Sequence, residues 1–230
     1  SFNDQTELDK INETTAAVVL ETIQGGAGFI VPQNDYLKAV KARCEAVGAL
    51  LILDEIQPGI GRTGKLFSFE HYGVTPDILV IGKGLGGGMP IGAFCSSAPY
   101  MTELTHNPSL GHITTFGGNP VIAAAALATL ETILRKKLMA EVIEKETLFR
   151  ELLVHPKIKK INGKGLMLAP ILEREEDVPK VVQGCKNKGL ILFFLLWEKR
   201  AIRISPPLTI SKKEIKKGCS ILLKVLDELE

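Results

Sequence analysis

Residues 50–92, LLILDEIQPGIGRTGKLFSFEHYGVTPDILVIGKGLGGGMPIG, decide the fold. They hold two short apolar runs, 50–53 and 78–81, bounded by Gly, Pro and charged residues, a pattern typical of buried strands. Asp54 directly follows the first run, and Lys83 follows the second after one glycine. Ligands of open α/β sheets bind beyond the carboxyl ends of such strands. We therefore predict that this acid and this lysine lie side by side in a binding site.

Strand and helix candidates alternate around this stretch. Apolar runs at 14–21 and 91–96 predict two more strands. The amphipathic segment 34–47 predicts a helix with Asn34 as its N-cap, and the Asn-Pro pair at 119–120 opens a long Ala-rich helix. This alternation favours an α/β fold with a mostly parallel sheet.

The composition changes near residue 134, after which Lys and Glu dominate the surface positions. We predict one domain over residues 1–133 and a small α+β domain over residues 134–230. Ser211 and Glu214 form a capping box for the last helix. The elements expected in the second domain are strands at 164–172, 189–196 and 200–204, and helices at 176–188 and 211–229.

The composition also argues against several classes of protein. The chain has 28 Lys and Arg residues against 26 Asp and Glu residues, so no affinity for nucleic acid is predicted. No uncharged apolar run reaches the roughly 18 residues that indicate a membrane span. The opening residues do not resemble a signal peptide, and the four cysteines form no CxxC pair. We therefore predict reduced thiols, no metal site and a cytoplasmic protein.

Two glycine patterns in the stretch resemble nucleotide-binding loops. Residues 59–65, GIGRTGK, match the first seven positions of a P-loop, but Leu66 stands where magnesium needs a hydroxyl ligand. Residues 82–87, GKGLGG, match the dinucleotide pattern, but Pro90 argues against the helix that must follow. Neither pattern predicts a nucleotide site.

Asp54 and Lys83 together suit a different chemistry. A lysine that loses its proton becomes a nucleophile toward carbonyl groups and forms Schiff bases, as with pyridoxal phosphate. That cofactor needs an acid beside its pyridine nitrogen, and Asp54 supplies one. From spacing alone, a lysine in a glycine-rich surface turn is the commoner alternative.

The segment DEIQPGIGRTGKLFSFEHYGVTPDILVIGKGLGGGMPIGA at 54–93 closely resembles the signature of the class III pyridoxal-phosphate aminotransferases, in particular the acetylornithine/ornithine branch. ETIQGG at 21–26 and HITTFGGNP at 112–120 fall where that family has comparable motifs. The resemblance covers essentially the whole chain. It implies the aspartate-aminotransferase-like fold (fold type I), with 1–133 as part of the large cofactor-binding domain. It also implies amino transfer from an ornithine-like or other ω-amino donor to a 2-oxo acid such as 2-oxoglutarate.

The resemblance implies roles at the cofactor ring. Lys83 carries the Schiff base and moves the proton, and Asp54 pairs with the ring nitrogen. Ile56 packs on a ring face and Gln57 hydrogen-bonds near the ring oxygen. Glu21 matches a further acid near the cofactor.

It also implies roles at the other groups of the cofactor and substrate. Thr114 and Thr115 contact the phosphate, in this family across a subunit interface, which implies a homodimer. Arg203 binds a substrate carboxylate, for which a planar guanidinium is suited. Without the resemblance, the two threonines are ordinary loop hydroxyls and Arg203 is a strand-end surface residue.

The chain departs from the family pattern in three places. Gly26 stands where the family often has a glutamate that pairs with the carboxylate-binding arginine, and this puts the usual switching between two substrates in doubt. Thr22 replaces a common proline. The family's N-terminal phosphate-cradling turn and ring-stacking aromatic do not occur in the chain, so we expect it to bind cofactor weakly or not at all by itself. The alternatives are a non-catalytic or incomplete fragment, or an aminomutase, epimerase or decarboxylase that uses the same lysine.

Overall fold

The computed structural model describes residues 1–229, and the chain divides into two compact units. Each unit is assembled from three separate stretches of sequence. Unit 1 consists of Ser1–Thr22, Pro32–Ile60 and Phe67–Lys136, and unit 2 consists of Ile23–Val31, Gly61–Leu66 and the chain from Lys137 onward. The assignment of residues 1–133 and 134–230 to two functional domains stays a prediction.

A four-stranded sheet forms the centre of unit 1. Its strands lie in chain order: β1 Ala17–Glu21, β2 Leu50–Asp54, β3 Ile78–Gly82 and β4 Gly92–Ser96. The first three strands are parallel and β4 is antiparallel to β3, so the predicted mostly parallel sheet is confirmed. Because β1, β2 and β3 run the same way, their carboxyl ends meet at one edge.

Helix α1, Tyr36–Val47, packs on one face of this sheet. Leu51 and Leu53 are fully buried against it, and strand alternation turns Ile52 and Asp54 to the opposite face. The predicted N-cap was wrong by one residue: Asp35 is the N-cap, and it makes no side-chain capping bond.

The other elements of unit 1 are helical. The helix predicted at Asn119-Pro120 is confirmed as α3, Pro120–Arg135, with the Asn119 side chain accepting hydrogen bonds from the N–H groups of Val121 and Ile122. A short helix, α2 at Ala98–Glu103, was not predicted. Three 3-10 turns complete the unit, at Gln5–Lys10, Ser68–His71 and Lys83–Gly86.

Unit 2 is built on strand β6, Met167–Leu172, whose six residues are all buried. It pairs with β5, Ile158–Lys164, which was not predicted. Two bridges, Leu168 with Ile204 and Ile171 with Ala201, join it to the segment 201–204. The strand predicted at 189–196 was wrong in extent, because only β7, Phe193–Phe194, pairs there, with β8, Ile202–Arg203. The helices are α4 Val142–Leu152, α5 Asp177–Asn187 and α6 Lys212–Asp227, with a 3-10 turn at Leu138–Glu141.

The predicted capping box of α6 is confirmed: Ser211 and Glu214 each bond the other's backbone N–H. One hydrophobic cluster of unit 2 joins two of its three stretches. Ile23 and Phe29, from 23–31, pack with Met167, Ile171 and Leu195 of the carboxyl-terminal stretch. In residues 1–229, no helix combines the length and the apolar character that crossing a membrane requires.

Candidate active site

The predicted acid and lysine lie at neighbouring strand ends in unit 1. Asp54 is the last residue of β2, and its Cα pairs with Glu21 on β1 and with Val80 on β3. Lys83 follows the last residue of β3 and opens a 3-10 turn. Glu21, Asp54 and Lys83 therefore share the carboxyl edge of the sheet, where α/β proteins bind ligands.

One of the two oxygens of the Asp54 carboxylate is held by a backbone hydrogen bond. Its Oδ1 accepts a hydrogen bond of 2.8 Å from the Ile56 N–H, and its Oδ2 has no hydrogen-bond partner in residues 1–229. The main-chain oxygen of Asp54 accepts a bond of 3.3 Å from the Thr22 N–H. The backbone around this acid is fixed, while one carboxylate oxygen stays available to a ligand.

Lys83 has an unusual backbone. Its φ is +37°, in the left-handed region that costs a residue with a Cβ about 1–2 kcal/mol. The side chain is exposed, and its amine makes no hydrogen bond or ion pair within the described chain. Non-glycine residues held in such conformations cluster at functional sites.

A broad cavity of about 840 Å³ opens on the sheet face that α1 does not cover. Ile56 reaches it beside Gly82, where an added Cβ would lie 3.6 Å from the Ile56 side chain. The ring of His112 meets Phe94 edge-on at 4.7 Å, which brings the segment after it to the same cavity. Other lining residues include Ile52, Val80, Ile113, Thr114 and Gly117.

The structure does not bring every predicted residue to this cavity. Ile56 and Thr114 line it. The other residues predicted in unit 1 are not among its lining residues: Glu21, Asp54, Gln57, Lys83 and Thr115. Gln57 is half-buried and its side chain has no hydrogen-bond partner in residues 1–229. Thr115 is exposed, as is the whole loop from 111 to 118.

Glu55 is a buried acid that the sequence analysis did not single out. Its side chain is fully buried and accepts hydrogen bonds from the Thr22 hydroxyl at 2.6 Å and from the N–H groups of Ser68 and Phe69 at 2.8 and 2.9 Å. Burial raises the pKa of this carboxyl above its ordinary value. The alternation of side chains after β2 is the signal that could have found it, because an acid next to Asp54 must point the other way.

Arg203 lies on β8 of unit 2. Its guanidinium carbon is 5.0 Å from the ring centre of Phe193, the cross-strand partner on β7. It has no carboxylate partner in the described part of the chain. It borders a smaller cavity of about 250 Å³ whose walls are mainly apolar. A guanidinium supported on an aromatic face and without an ion-pair partner in residues 1–229 is suited to an incoming carboxylate, although Glu214 lines the same cavity.

Trp197 takes the space beside Gly26, also in unit 2. A Cβ added at Gly26 would lie 2.6 Å from Cδ1 of the indole. The main-chain oxygen of Gly26 accepts bonds of 3.0 and 3.3 Å from the N–H groups of Trp197 and Glu198. The volume that a longer side chain at position 26 would enter is therefore occupied by the only tryptophan.

Neither nucleotide-like pattern has the context that it needs. No α-helix begins between α1 and α2 in the described chain, so neither glycine loop leads into one. In residues 1–229, no three His, Cys, Asp or Glu side chains form a group that could hold a metal ion.

Comparisons with known proteins show the family to which the chain belongs. The model of the family "Aminotransferase class-III" matches residues 2–226. The chain is 43% identical over 225 residues to putrescine aminotransferase of Pectobacterium atrosepticum, covering 95% of this chain and 47% of that protein. It is 39% identical over 226 residues to acetylornithine aminotransferase of Caldanaerobacter subterraneus, covering 96% and 56%. The chain thus spans about half the length of the curated relatives it matches.

The solved structures give the same result for the fold. The ornithine aminotransferase of Toxoplasma gondii, described with partial occupancy of PLP at its active site, superposes with a TM-score of 0.90 at 34% identity. That match covers 98% of this chain and 54% of the other. The acetylornithine aminotransferase of Elizabethkingia anophelis superposes with a TM-score of 0.88 at 34% identity, covering 99% and 59%.

Proposed function

The chain belongs to the class III aminotransferases, and from this premise we propose that it serves amino transfer with pyridoxal 5′-phosphate. The donor is an ornithine-like or other ω-amino compound, and the acceptor is a 2-oxo acid such as 2-oxoglutarate. The observation that carries the proposal is the pair formed by Asp54 and Lys83. Both lie at one sheet edge, where Lys83 offers its amine and Asp54 offers the carboxylate oxygen that has no hydrogen-bond partner in residues 1–229.

The groups at this edge suit the cofactor. When bound, pyridoxal phosphate supplies an aldehyde that reacts with amines and a ring that withdraws electrons from the substrate. Lys83 offers an exposed amine, Asp54 a free carboxylate oxygen, and Ile56 a branched apolar side chain beside them. These are the chemical types needed for the aldehyde, the ring nitrogen and the ring face. Thr114 and Thr115 would contribute hydroxyl groups to the phosphate.

Each residue has a defined task in the proposed reaction. Lys83 Nζ would hold the cofactor at its aldehyde carbon, and the lysine amine would take the proton from the substrate Cα. Asp54 Oδ2 would hold the ring nitrogen in its protonated form. Gln57 would hold the ring oxygen, and Glu21 would be a further acid near the cofactor.

Substrate recognition is assigned to Arg203, which binds a carboxylate with two parallel N–H bonds. The relatives are named as aminotransferases of acetylornithine, ornithine or putrescine, and each of these compounds carries an amine at the end of a short chain. This supports a terminal amine as the donor group. We propose that two copies complete the sites, with Thr114 and Thr115 serving the neighbouring subunit.

Borohydride reduction tests the attachment directly. The protein is mixed with pyridoxal phosphate, reduced and digested, and the labelled peptide is identified by mass spectrometry. The label is expected on Lys83, to disappear in Lys83→Ala and to persist in Lys38→Ala, which removes an exposed lysine of the same unit. Equal labelling of many lysines would refute the assignment. Formation of glutamate from 2-oxoglutarate then separates amino transfer from epimerase, mutase or decarboxylase chemistry.

A further inference from the structure

Glu55 has no cation near enough to form an ion pair in residues 1–229, although it is fully buried. Burial of a charge is costly unless hydrogen bonds compensate for the lost water. The compensation here comes from three donors on two segments, Thr22 at the end of β1 and Ser68 and Phe69 at the start of a 3-10 turn. Two of these donors are N–H groups that cannot accept a bond. These hydrogen bonds favour the ionised carboxylate, whereas burial is the larger effect and raises the pKa of Glu55 above its ordinary value.

Thr22 holds two consecutive residues of the site. Its hydroxyl donates to the Glu55 carboxylate, and its N–H donates to the main-chain oxygen of Asp54. Thr22 is itself fully buried. A proline at this position would have neither the hydroxyl nor the N–H. Both bonds therefore depend on the residue that this chain has in place of the proline.

Glycine at position 59 completes the packing around Glu55. A Cβ there would lie 2.5 Å from the Glu55 main-chain oxygen and 3.3 Å from Oε2. The Gly59 N–H donates to that same main-chain oxygen at 3.0 Å. Glu55 is thus held through its backbone and its carboxylate, while its neighbour Asp54 faces the opposite side of the strand.

We propose that Thr22 and Glu55 form a buried clasp that positions Asp54, and this inference rests on the proposed function of Asp54 at the cofactor ring. The clasp fixes the backbone on the carboxyl side of the Asp54 Cα, where the Ile56 N–H holds Oδ1, and so it sets the position from which Oδ2 is presented. Thr22 and Glu55 are positioning residues, because both are fully buried and act through Asp54. The other titratable groups that interact with Glu55 are Asp54 and Tyr72, and burial together with the Glu55 charge raises the pKa of Tyr72 to about 12.

The first test is amide hydrogen exchange in the protein without cofactor. Thr22→Val removes the hydroxyl and keeps the shape, and Thr22→Ser restores the hydroxyl. The amides of Ser68 and Phe69 are expected to exchange about 5-fold faster in the valine variant, as for the loss of one hydrogen bond, and at the normal rate in the serine variant. Thr102→Val is the control, because it removes an exposed hydroxyl bond within α2.

The second test is the affinity for pyridoxal phosphate, measured by absorbance titration. Thr22→Val is expected to weaken binding about 5-fold and to shift the pH at which the bound cofactor changes its spectrum, and Thr22→Ser is expected to restore both. If Thr22→Val does not fold, Thr22→Ala against Thr22→Ser makes the same comparison. Unchanged exchange and affinity in the hydroxyl-free variant would overturn the clasp.

Asp54→Asn, measured in parallel, separates this inference from the proposed function. If Asp54→Asn weakens cofactor binding and Thr22→Val does not, the clasp is refuted and the function stands. If Asp54→Asn leaves binding and spectrum unchanged, the proposed function of Asp54 fails, and the clasp loses its role with it.

Discussion

Substitution of Gly59 by alanine tests how tightly the turn after β2 is packed. The new Cβ would lie 2.5 Å from the Glu55 main-chain oxygen, whereas ordinary contact begins near 3.4 Å, so backbone must move by about 1 Å. Overpacking of this kind costs about 1–3 kcal/mol. Alanine restricts the unfolded chain more than glycine does, which offsets about 0.4–1 kcal/mol of this cost. We expect Gly59→Ala to lower the free energy of unfolding by about 1–2 kcal/mol.

Gly92→Ala is the matched control for this change. Gly92 is in the same unit, neither glycine has a left-handed backbone, and a Cβ at Gly92 would meet nothing within 4 Å. The Gly92→Ala variant should have a free energy of unfolding about 0.4–1 kcal/mol higher than wild type, because alanine restricts the unfolded chain more than glycine does. Urea unfolding followed by circular dichroism measures both variants. Equal stability of Gly59→Ala and Gly92→Ala would refute the packing argument.

Three further predictions follow from the same kind of evidence. Burial raises the pKa of Glu55, so the folded state binds the Glu55 proton more tightly than the unfolded chain does. The stability that this proton contributes is lost as pH rises from about 4.5 through the folded-state pKa. Urea unfolding at several pH values should therefore show Glu55→Gln gaining stability relative to wild type as pH rises, and a constant difference would contradict the shift. Gly218→Ala in α6 should raise the free energy of unfolding by about 0.5–1 kcal/mol in thermal denaturation, whereas Gly184→Ala in α5 should gain nothing, because its Cβ would lie 2.8 Å from Val225. Arg203→Met should raise the KM of carboxylate substrates about 10- to 100-fold, the worth of a charged hydrogen-bond pair, and steady-state kinetics with an unchanged KM would exclude that role.

The central sheet was predictable because its strands are continuous apolar runs with clear ends. The strands of unit 2 were harder to predict. β5 was missed because Lys159 and Lys160 point to solvent and break the apolar pattern. The run at 189–196 has the composition of a buried strand, yet Phe193, Phe194 and Leu196 are all more than half exposed. Composition alone does not tell which apolar run finds a partner within the chain.

The site was predictable to the extent that it follows from strand order. Asp54 and Lys83 lie at neighbouring strand ends because parallel neighbours end at one edge, and two short apolar runs are enough to indicate that. The contacts of Glu55 and of Gly26 could not be predicted in the same way. Thr22 lies 33 residues from Glu55 in sequence, and Trp197 lies far from Gly26, so their contacts depend on tertiary packing. Two consecutive acids after a strand are usually interpreted as surface charge, so the burial of Glu55 was not predicted.

The three-stretch composition of unit 2 has a consequence for protein engineering. A chimera that exchanged only the chain after residue 136 would carry β6 into its new host and leave Ile23 and Phe29 of its core behind. It would also separate Leu166 from Arg62, whose main-chain oxygen accepts the Leu166 N–H at 2.9 Å. An exchange between related enzymes therefore needs five crossover points, so that 23–31 and 61–66 are inherited together with the carboxyl-terminal part.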